Sequence, residues 1–190
     1  MRLPDLDLST LSDQQRVLYD RIGGKRGHVR GPFLIWLRSA GLCDRVEALG
    51  AYLRFDTKLP ERIRELSILV TARFWDAQYS WAAHSGKAIQ AGVDATAVED
   101  LAQGRVPRFT HDDEQVFYDF ATELLTTHFV SQDTYDRAHA TFGEEGLVDI
   151  IGAMGNFSML AMCLNTFQVQ LRAEQKAPFP DIVDFKKVKA

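Results

Sequence analysis

The sequence contains little cysteine, and this limits the chemistry available to the chain. Cys43 and Cys163 are the only two cysteines, and they lie far apart. They can therefore build neither a disulfide framework nor a Cys-x-x-Cys metal or redox pair. Four of the histidines, His28, His111, His128 and His139, show no His-x-x-x-His or carboxylate spacing among them, so we expect no metal site. The glycines form no phosphate-binding loop motif, so we expect no nucleotide cofactor.

Excess positive charge is also absent. The 22 lysines and arginines are scattered among 26 acidic residues, which gives a net charge of −4, so no nucleic acid partner is implied. The N-terminus lacks the apolar core of a signal peptide, and we expect a cytoplasmic location. The most apolar run, 147–169, is interrupted by polar residues such as Asp149 and Asn156. We interpret it as a buried helix and expect no membrane span.

The apolar residues recur at helical spacing, and no segment predicts a strand. The 190 residues, 46% of them hydrophobic, suffice for one domain with one substantial core. We expect this core to cover about 9–170, followed by a mobile C-terminal tail. The predicted helices cover about 11–22, 32–40, 42–54, 61–73, 77–90, 94–102, 110–126, 132–141 and 145–169.

The stretch from Pro60 to Val93 carries most of the functional signal. Glu65 and His84 both lie in it, and one straight helix would separate them by about 28 Å, too far for one site. We therefore predict a turn at 74–76, with Asp76 capping the second helix through its carboxylate. Antiparallel packing of the two helices would then bring Glu65 toward His84 and supply acid–base groups.

The spacing of these residues resembles a known family, the carboxymuconolactone decarboxylase and alkylhydroperoxidase D (AhpD) group. Its peroxidases resemble the pattern Glu, eleven residues, Cys-x-x-Cys, three residues, His. Here Glu65 and His84 occupy the outer places, while Ala77 and Ser80 stand at the cysteine places. Against the decarboxylases, the run from Leu59 to Val93 is similar in its leucine-rich first helix, Arg64, His84 and the closing Ala-Gly-Val. The chain thus resembles a cysteine-less member of the group.

The resemblance implies an all-α, AhpD-like bundle of about eight helices around a central antiparallel hairpin. It also implies a homo-oligomer, commonly a trimer or hexamer, and a small-molecule substrate without a cofactor. Our leading hypothesis is a decarboxylase-type lyase acting on a small organic acid or a lactone from aromatic degradation. His84 would protonate the carbanion, Glu65 would hold its tautomer, and Ser80 or Arg64 would bind a carboxylate or lactone oxygen. The expected pocket-lining aromatic residues are Phe33, Trp36 and Tyr79.

Each of these residues also has a purely structural interpretation. His84 could be a hydrogen-bonded core histidine, and Glu65 could pair with a structural cation such as Arg64 or Arg73. Ser80 could hydrogen-bond its own backbone, and the aromatic residues could simply pack. The glycine-rich basic segment 24–32 is either a mobile loop that contacts an anionic ligand or a solvated connector.

Two other functions remain open at this stage. One is an antioxidant, peroxidase-like protein, although this chain lacks the thiol pair that such chemistry requires. The other is a non-catalytic oligomeric binding protein in which Glu65 and His84 form a structural pair. Convergence of the two residues on a closed apolar pocket would favour the acid–base enzyme.

Overall fold

Helices provide the regular structure of this chain. The computed structural model describes residues 2–171, 173 and 175–180, and no strand occurs among them. The all-α prediction is confirmed. The helices are α1 Asp13–Arg26, α2 Pro32–Trp36, α3 Ala40–Ala51, α4 Glu61–Phe74, α5 Gln78–Gln90, α6 Ala95–Ala102, α7 Asp112–Thr127 and α8 Gln132–Phe167. A 3₁₀-helical turn at Leu8–Thr10 precedes α1, and a π-helical turn at Tyr52–Asp56 follows α3.

The α4–α5 hairpin lies at the centre of the bundle, as predicted. Helix α4 packs against α5, α6, α7 and α8, and its residues 65–72 are all buried. The turn falls at the expected place, but the predicted cap is wrong. Asp76 adopts a left-handed backbone conformation with φ of 50° and its carboxylate pairs with Arg73. Helix α5 therefore begins after Ala77 without a side-chain cap.

Helix α1 runs farther than the sequence indicated. It begins at Ser12, which forms a capping box with Gln15, and continues through the two glycines at 23–24 to Arg26. Gly27, with φ of 74°, ends it. The basic segment 24–32 is consequently part helix and part loop, and Arg26 occupies the last helical turn, where its charge complements the helix dipole.

Helix α8 contains a kink where the sequence predicted two separate helices. Gly143, with φ of 68° and ψ of 179°, interrupts the helical geometry of one long run. By length and composition this helix could cross a membrane, and 44% of its most apolar 18-residue stretch is buried inside the protein. It packs against α2, α3, α4 and α7.

The beginning of the C-terminal tail lies against the hairpin. Phe179 is buried, and its ring meets that of Trp81 edge-on with the centroids 5.7 Å apart. Gln78 Nε2 donates a hydrogen bond of 2.7 Å to the Phe179 carbonyl. The sequence predicted a mobile C-terminal tail, and most of that tail, residues 181–190, lies outside the described residues.

Candidate active site

Glu65 and His84 meet across the central hairpin. His84 Nδ1 lies 2.7 Å from Glu65 Oε2, as expected from the antiparallel packing of α4 and α5. The ring of Phe157 on α8 contacts the imidazole edge-on at 5.5 Å between centroids. The His84 side chain is 15% exposed and that of Glu65 is 7% exposed. A buried acid–base pair of this kind needs mutual hydrogen bonding to offset its desolvation.

Near neutral pH the imidazole of His84 is neutral and the carboxylate of Glu65 is ionised. Burial lowers the pKa of His84 and outweighs the raising effect of the hydrogen bond to Glu65, and the charges of Lys87 and Arg54 lower it further. Burial acts to raise the pKa of Glu65, but the hydrogen bond from His84 and nearby positive charges leave it lowered overall. A neutral imidazole beside a carboxylate donates its Nδ1–H to Glu65, so Nε2 keeps a lone pair and is a base.

A cavity of about 300 Å³ opens beside this pair. Its size suits a small molecule. The seven site residues predicted from the sequence all line it: Phe33, Trp36, Arg64, Glu65, Tyr79, Ser80 and His84. Their side chains come from α2, α4 and α5, so the fold brings together three separate stretches of sequence. Their individual roles stay predictions.

The cavity wall is strongly basic, although the whole chain is acidic. Five cations line it, and Glu65 is the single acidic residue among its described lining residues. These cations are Arg26, Arg30, Arg54, Arg64 and Lys87. Burial and the charge of Arg54 lower the pKa values of both Arg26 and Lys87. Such crowding of like charges is costly in an empty site, and an anionic ligand relieves it.

Sequence comparison identifies the family of the part of the chain that carries this site. Residues 41–116 match the carboxymuconolactone decarboxylase family, and the match includes both Glu65 and His84. This part of the chain is therefore similar to the carboxymuconolactone decarboxylase family. No curated protein matches the sequence.

Solved structures share the AhpD-like fold over nearly the whole chain. A peroxidase-related protein from Silicibacter sp. TM1040 has a TM-score of 0.72 at 19% identity, covering 92% of each chain. An alkylhydroperoxidase AhpD core protein from Ralstonia eutropha JMP134 has a TM-score of 0.74 at 20% identity, covering 91% of this chain and 93% of that one. A variant of the debrominase Bmp8 in complex with 2,3,4-tribromopyrrole has a TM-score of 0.72 at 16% identity, covering 94% of both.

This AhpD-like chain has a non-thiol site where peroxidases of the group have a cysteine pair. Ala77 is buried at the start of α5, and Ser80 faces the cavity. The two cysteines lie elsewhere, in or beside the core cluster between α1, α2 and α3. Burial raises the pKa of both thiols to about 11, so neither is a thiolate near neutral pH. No cluster of three or more potential metal ligands occurs among the described side chains.

Several buried polar atoms around the cavity lack hydrogen-bond partners within the described structure. They are Arg26 Nε, Arg64 Nε, Ser80 Oγ and Asn156 Oδ1. Buried polar atoms are nearly always paired in folded proteins, so these four atoms are available to a polar ligand in the cavity. The Ser80 hydroxyl does not bond its own backbone, which was its structural alternative.

The structural alternatives for Glu65 are also accounted for. Arg64 Nη2 pairs with Glu61 at 3.3 Å, and Arg73 pairs with Asp76. The hydrogen-bond partner of Glu65 is therefore His84, and neither arginine takes that place.

Sequence reasoning missed most of the cationic wall. It singled out neither Arg54 nor Lys87, although Lys87 lies one helical turn after His84, a spacing that places the two side chains side by side. Arg26 and Arg30 were included only as part of the ambiguous basic segment. Asn156 and Phe157 were hidden in the apolar run of α8, where their positions give no signal distinct from core packing.

Proposed function

We propose that this protein is a cofactor-independent lyase that decarboxylates a small, unsaturated, anionic organic acid, such as a lactone acid. The observation that carries the proposal is the Glu65–His84 pair, joined at 2.7 Å, on a cavity lined by five cations. The pair supplies proton transfer and the cations supply affinity for a carboxylate. We include in the proposal the cytoplasmic location expected from the sequence. The two free cysteines are consistent with it, because the cytoplasm is reducing and keeps thiols unpaired.

Binding comes first in this mechanism. Arg26 and Arg64 each have a buried Nε–H without a hydrogen-bond partner. The carboxylate of the substrate accepts hydrogen bonds from these two groups. Ser80 Oγ is available to donate to a lactone or carbonyl oxygen. The apolar rings of Phe33, Trp36 and Phe157 complete the cavity and exclude water from the reacting carbon.

Substrate charge also changes the state of His84. In the empty site, burial and the nearby cations hold the pKa of His84 below its usual range. A bound anion compensates the charges of Lys87 and Arg54, so it favours the imidazolium form. Glu65 stabilises that cation through the existing hydrogen bond. The enzyme therefore acquires its acid together with its substrate, although it rests as a base.

The chemical step is balanced by this one proton. The bond between the carboxylate carbon and the neighbouring carbon breaks, carbon dioxide leaves, and the electron pair is delocalised into the unsaturated ring as a dienolate. His84 Nε2–H then donates its proton to carbon and returns to the neutral form. Positioned proton transfer of this kind contributes about 10²- to 10⁴-fold to a rate.

Thiol-dependent peroxidase activity is the weaker candidate. It needs a thiolate and a resolving thiol, whereas the chain carries Ala77 and Ser80 at the places of the family's cysteine pair, and its two cysteines, one buried and one partly buried, lie elsewhere. Peroxide turnover that persists after Cys43→Ser and Cys163→Ser would show that the chemistry has another origin.

The proposal is tested by carbon dioxide release from a panel of unsaturated lactone acids. We expect the wild-type protein to decarboxylate at least one member and His84→Gln to reduce kcat about 10²- to 10⁴-fold without loss of substrate affinity. The control is His139→Gln, because His139 lies on α8, stacked on Tyr135 and away from the cavity. His139→Gln is expected to keep full activity.

Two outcomes would overturn the proposal. One is a panel in which the wild-type protein decarboxylates nothing. The other is turnover that His84→Gln leaves unchanged. If Glu65→Gln and His84→Ala keep every measurable activity and lose only thermal stability, the non-catalytic binding protein becomes the better description.

A further inference from the structure

A second reactive group lines the cavity beside the acid–base pair. Lys87 lies on α5, one turn after His84, so the two side chains leave the same helix face. It is partly buried and borders the cavity. No hydrogen bond or ion pair holds its ammonium group among the described residues, in contrast to Lys58, which pairs with Glu145 at 2.9 Å.

The charges that face Lys87 disfavour its protonated form. Burial lowers the pKa of Lys87, and the guanidinium groups of Arg54 and Arg26 lower it further. The carboxylate of Glu65 acts in the opposite direction, but its Oε2 is already engaged by His84. A lysine that loses its proton more easily becomes a nucleophile, and proximity to other cations is a known way to activate one.

We propose that Lys87 is an amine nucleophile that forms an iminium adduct with the carbonyl group of an anionic oxo acid bound in this cavity. The proposal rests on the proposed function, since the arginines of the cavity bind the carboxylate and His84 moves the protons. It extends the substrate class from lactone acids to 3-oxo acids, whose carboxylate and carbonyl lie close enough together for one small cavity. No metal or redox cofactor is required.

Each bond in this route is accounted for. The Lys87 nitrogen attacks the carbonyl carbon to give a carbinolamine, which takes up one proton and loses water to form the iminium. The carboxylate leaves as carbon dioxide, and its electron pair moves to the iminium nitrogen and gives an enamine. The His84 imidazolium protonates the enamine carbon. Water then hydrolyses the new iminium, which frees the ketone, the Lys87 amine and one proton, so the net reaction is oxo acid anion plus one proton to ketone and carbon dioxide.

Reductive trapping tests this directly. The full-length protein is incubated with acetoacetate and cyanoborohydride near neutral pH, and the adduct is located by peptide mass spectrometry. A lowered pKa enlarges the free-amine fraction near neutral pH, so Lys87 is expected to react faster than the exposed lysines. Lys87→Arg keeps the positive charge but cannot form an imine, while Lys58→Arg changes a solvent-exposed lysine and is the matched control.

The expected result is one dominant adduct, on Lys87, that disappears in Lys87→Arg and persists in Lys58→Arg. Circular dichroism melting of Lys87→Arg separates a lost nucleophile from a lost fold. Adducts spread evenly over the lysines, or an undiminished total in a folded Lys87→Arg variant, would overturn the proposal.

The failure of this inference is distinguishable from failure of the lyase function. Carbon dioxide release that depends on His84 but leaves Lys87 unmodified overturns the nucleophile and keeps the acid–base lyase. Trapping on Lys87 together with turnover that is unaffected by His84→Gln supports the nucleophile and removes the proposed role of His84.

Discussion

Glu65→Gln is the substitution that tests the central pair most directly. The two side chains have nearly the same shape, so the cavity and the fold are expected to stay intact. The amide oxygen of glutamine can still accept a hydrogen bond from His84 Nδ1 at the present 2.7 Å separation. What is lost is the negative charge that fixes the imidazole tautomer and stabilises the imidazolium.

The size of both effects can be worked out from this geometry. Replacing a charged by a neutral acceptor weakens a hydrogen bond by about 1 kcal/mol, which reduces the preference for the Nδ1–H tautomer about fivefold. A unit charge pair about 4 Å apart interacts by about 4 kcal/mol at an effective dielectric constant of about 20. Each loss of about 1.4 kcal/mol from this attraction lowers the imidazolium population about tenfold. The pKa of His84 should therefore move still lower in Glu65→Gln.

Nitrogen NMR of histidine-labelled protein measures these quantities without a substrate. In the wild-type protein near neutral pH we expect His84 Nδ1 to carry the proton and Nε2 to be free, with the His84 signal among the five histidines assigned from His84→Gln. Glu65→Gln should mix the tautomers and shift the titration to lower pH. Glu145→Gln removes an exposed carboxylate that pairs with Lys58 and should change neither. A wild-type Nε2–H tautomer, or a titration unaltered by Glu65→Gln, would refute the reasoning.

Three further predictions concern stability and assembly. The folded-state pKa of His84 lies below its usual value of 6.5, so the free energy of unfolding should fall as pH drops below about 6.5. In denaturant titrations, His84→Gln should make the free energy of unfolding depend less steeply on pH, and a steeper dependence would contradict the prediction. Gly31→Ala should destabilise the protein by about 1–3 kcal/mol, because φ is 57° and a Cβ would lie 2.6 Å from Tyr79 Oη, whereas Gly24→Ala within α1 has open space and should raise the melting temperature. Ile151 on α8 is 51% exposed, so Ile151→Glu should dissociate the expected homo-oligomer in sedimentation experiments, and a wild-type monomer would refute that expectation.

The hairpin was predictable because its information is local. Apolar spacing defined α4 and α5 within one or two residues of the observed bounds, and the 28 Å argument required the turn between them. The hydrogen-bonding geometry at Asp76 was not predictable, since an aspartate before a helix usually caps it. Here the nearby Arg73 guanidinium competes for the same carboxylate. Residue propensities alone do not predict whether the aspartate caps the helix or pairs with the arginine.

The charge of the cavity could not be inferred from the sequence. A net charge of −4 describes the whole surface, whereas the cavity collects cations from α1, from the turn at Tyr52–Asp56, from α4 and from α5. Arg26 reaches the cavity only because α1 continues through two glycines that would ordinarily end a helix. The sequence therefore predicted an apolar pocket, and the structure shows apolar rings combined with a basic wall.

This basic wall explains how one histidine can serve as both base and acid in the proposed cycle. The carboxylate of Glu65, acting alone, would favour the charged ring of His84. Burial and the cations at Lys87 and Arg54 offset that preference in the empty site, so protonation becomes conditional on the arrival of an anion. The same positive field draws anions toward the cavity and keeps Lys87 easier to deprotonate. Substrate binding, proton uptake and amine reactivity thus depend on one cluster of charges. Removing Arg54, whose charge lowers the pKa of both His84 and Lys87, should raise the pKa of both groups and weaken anion binding.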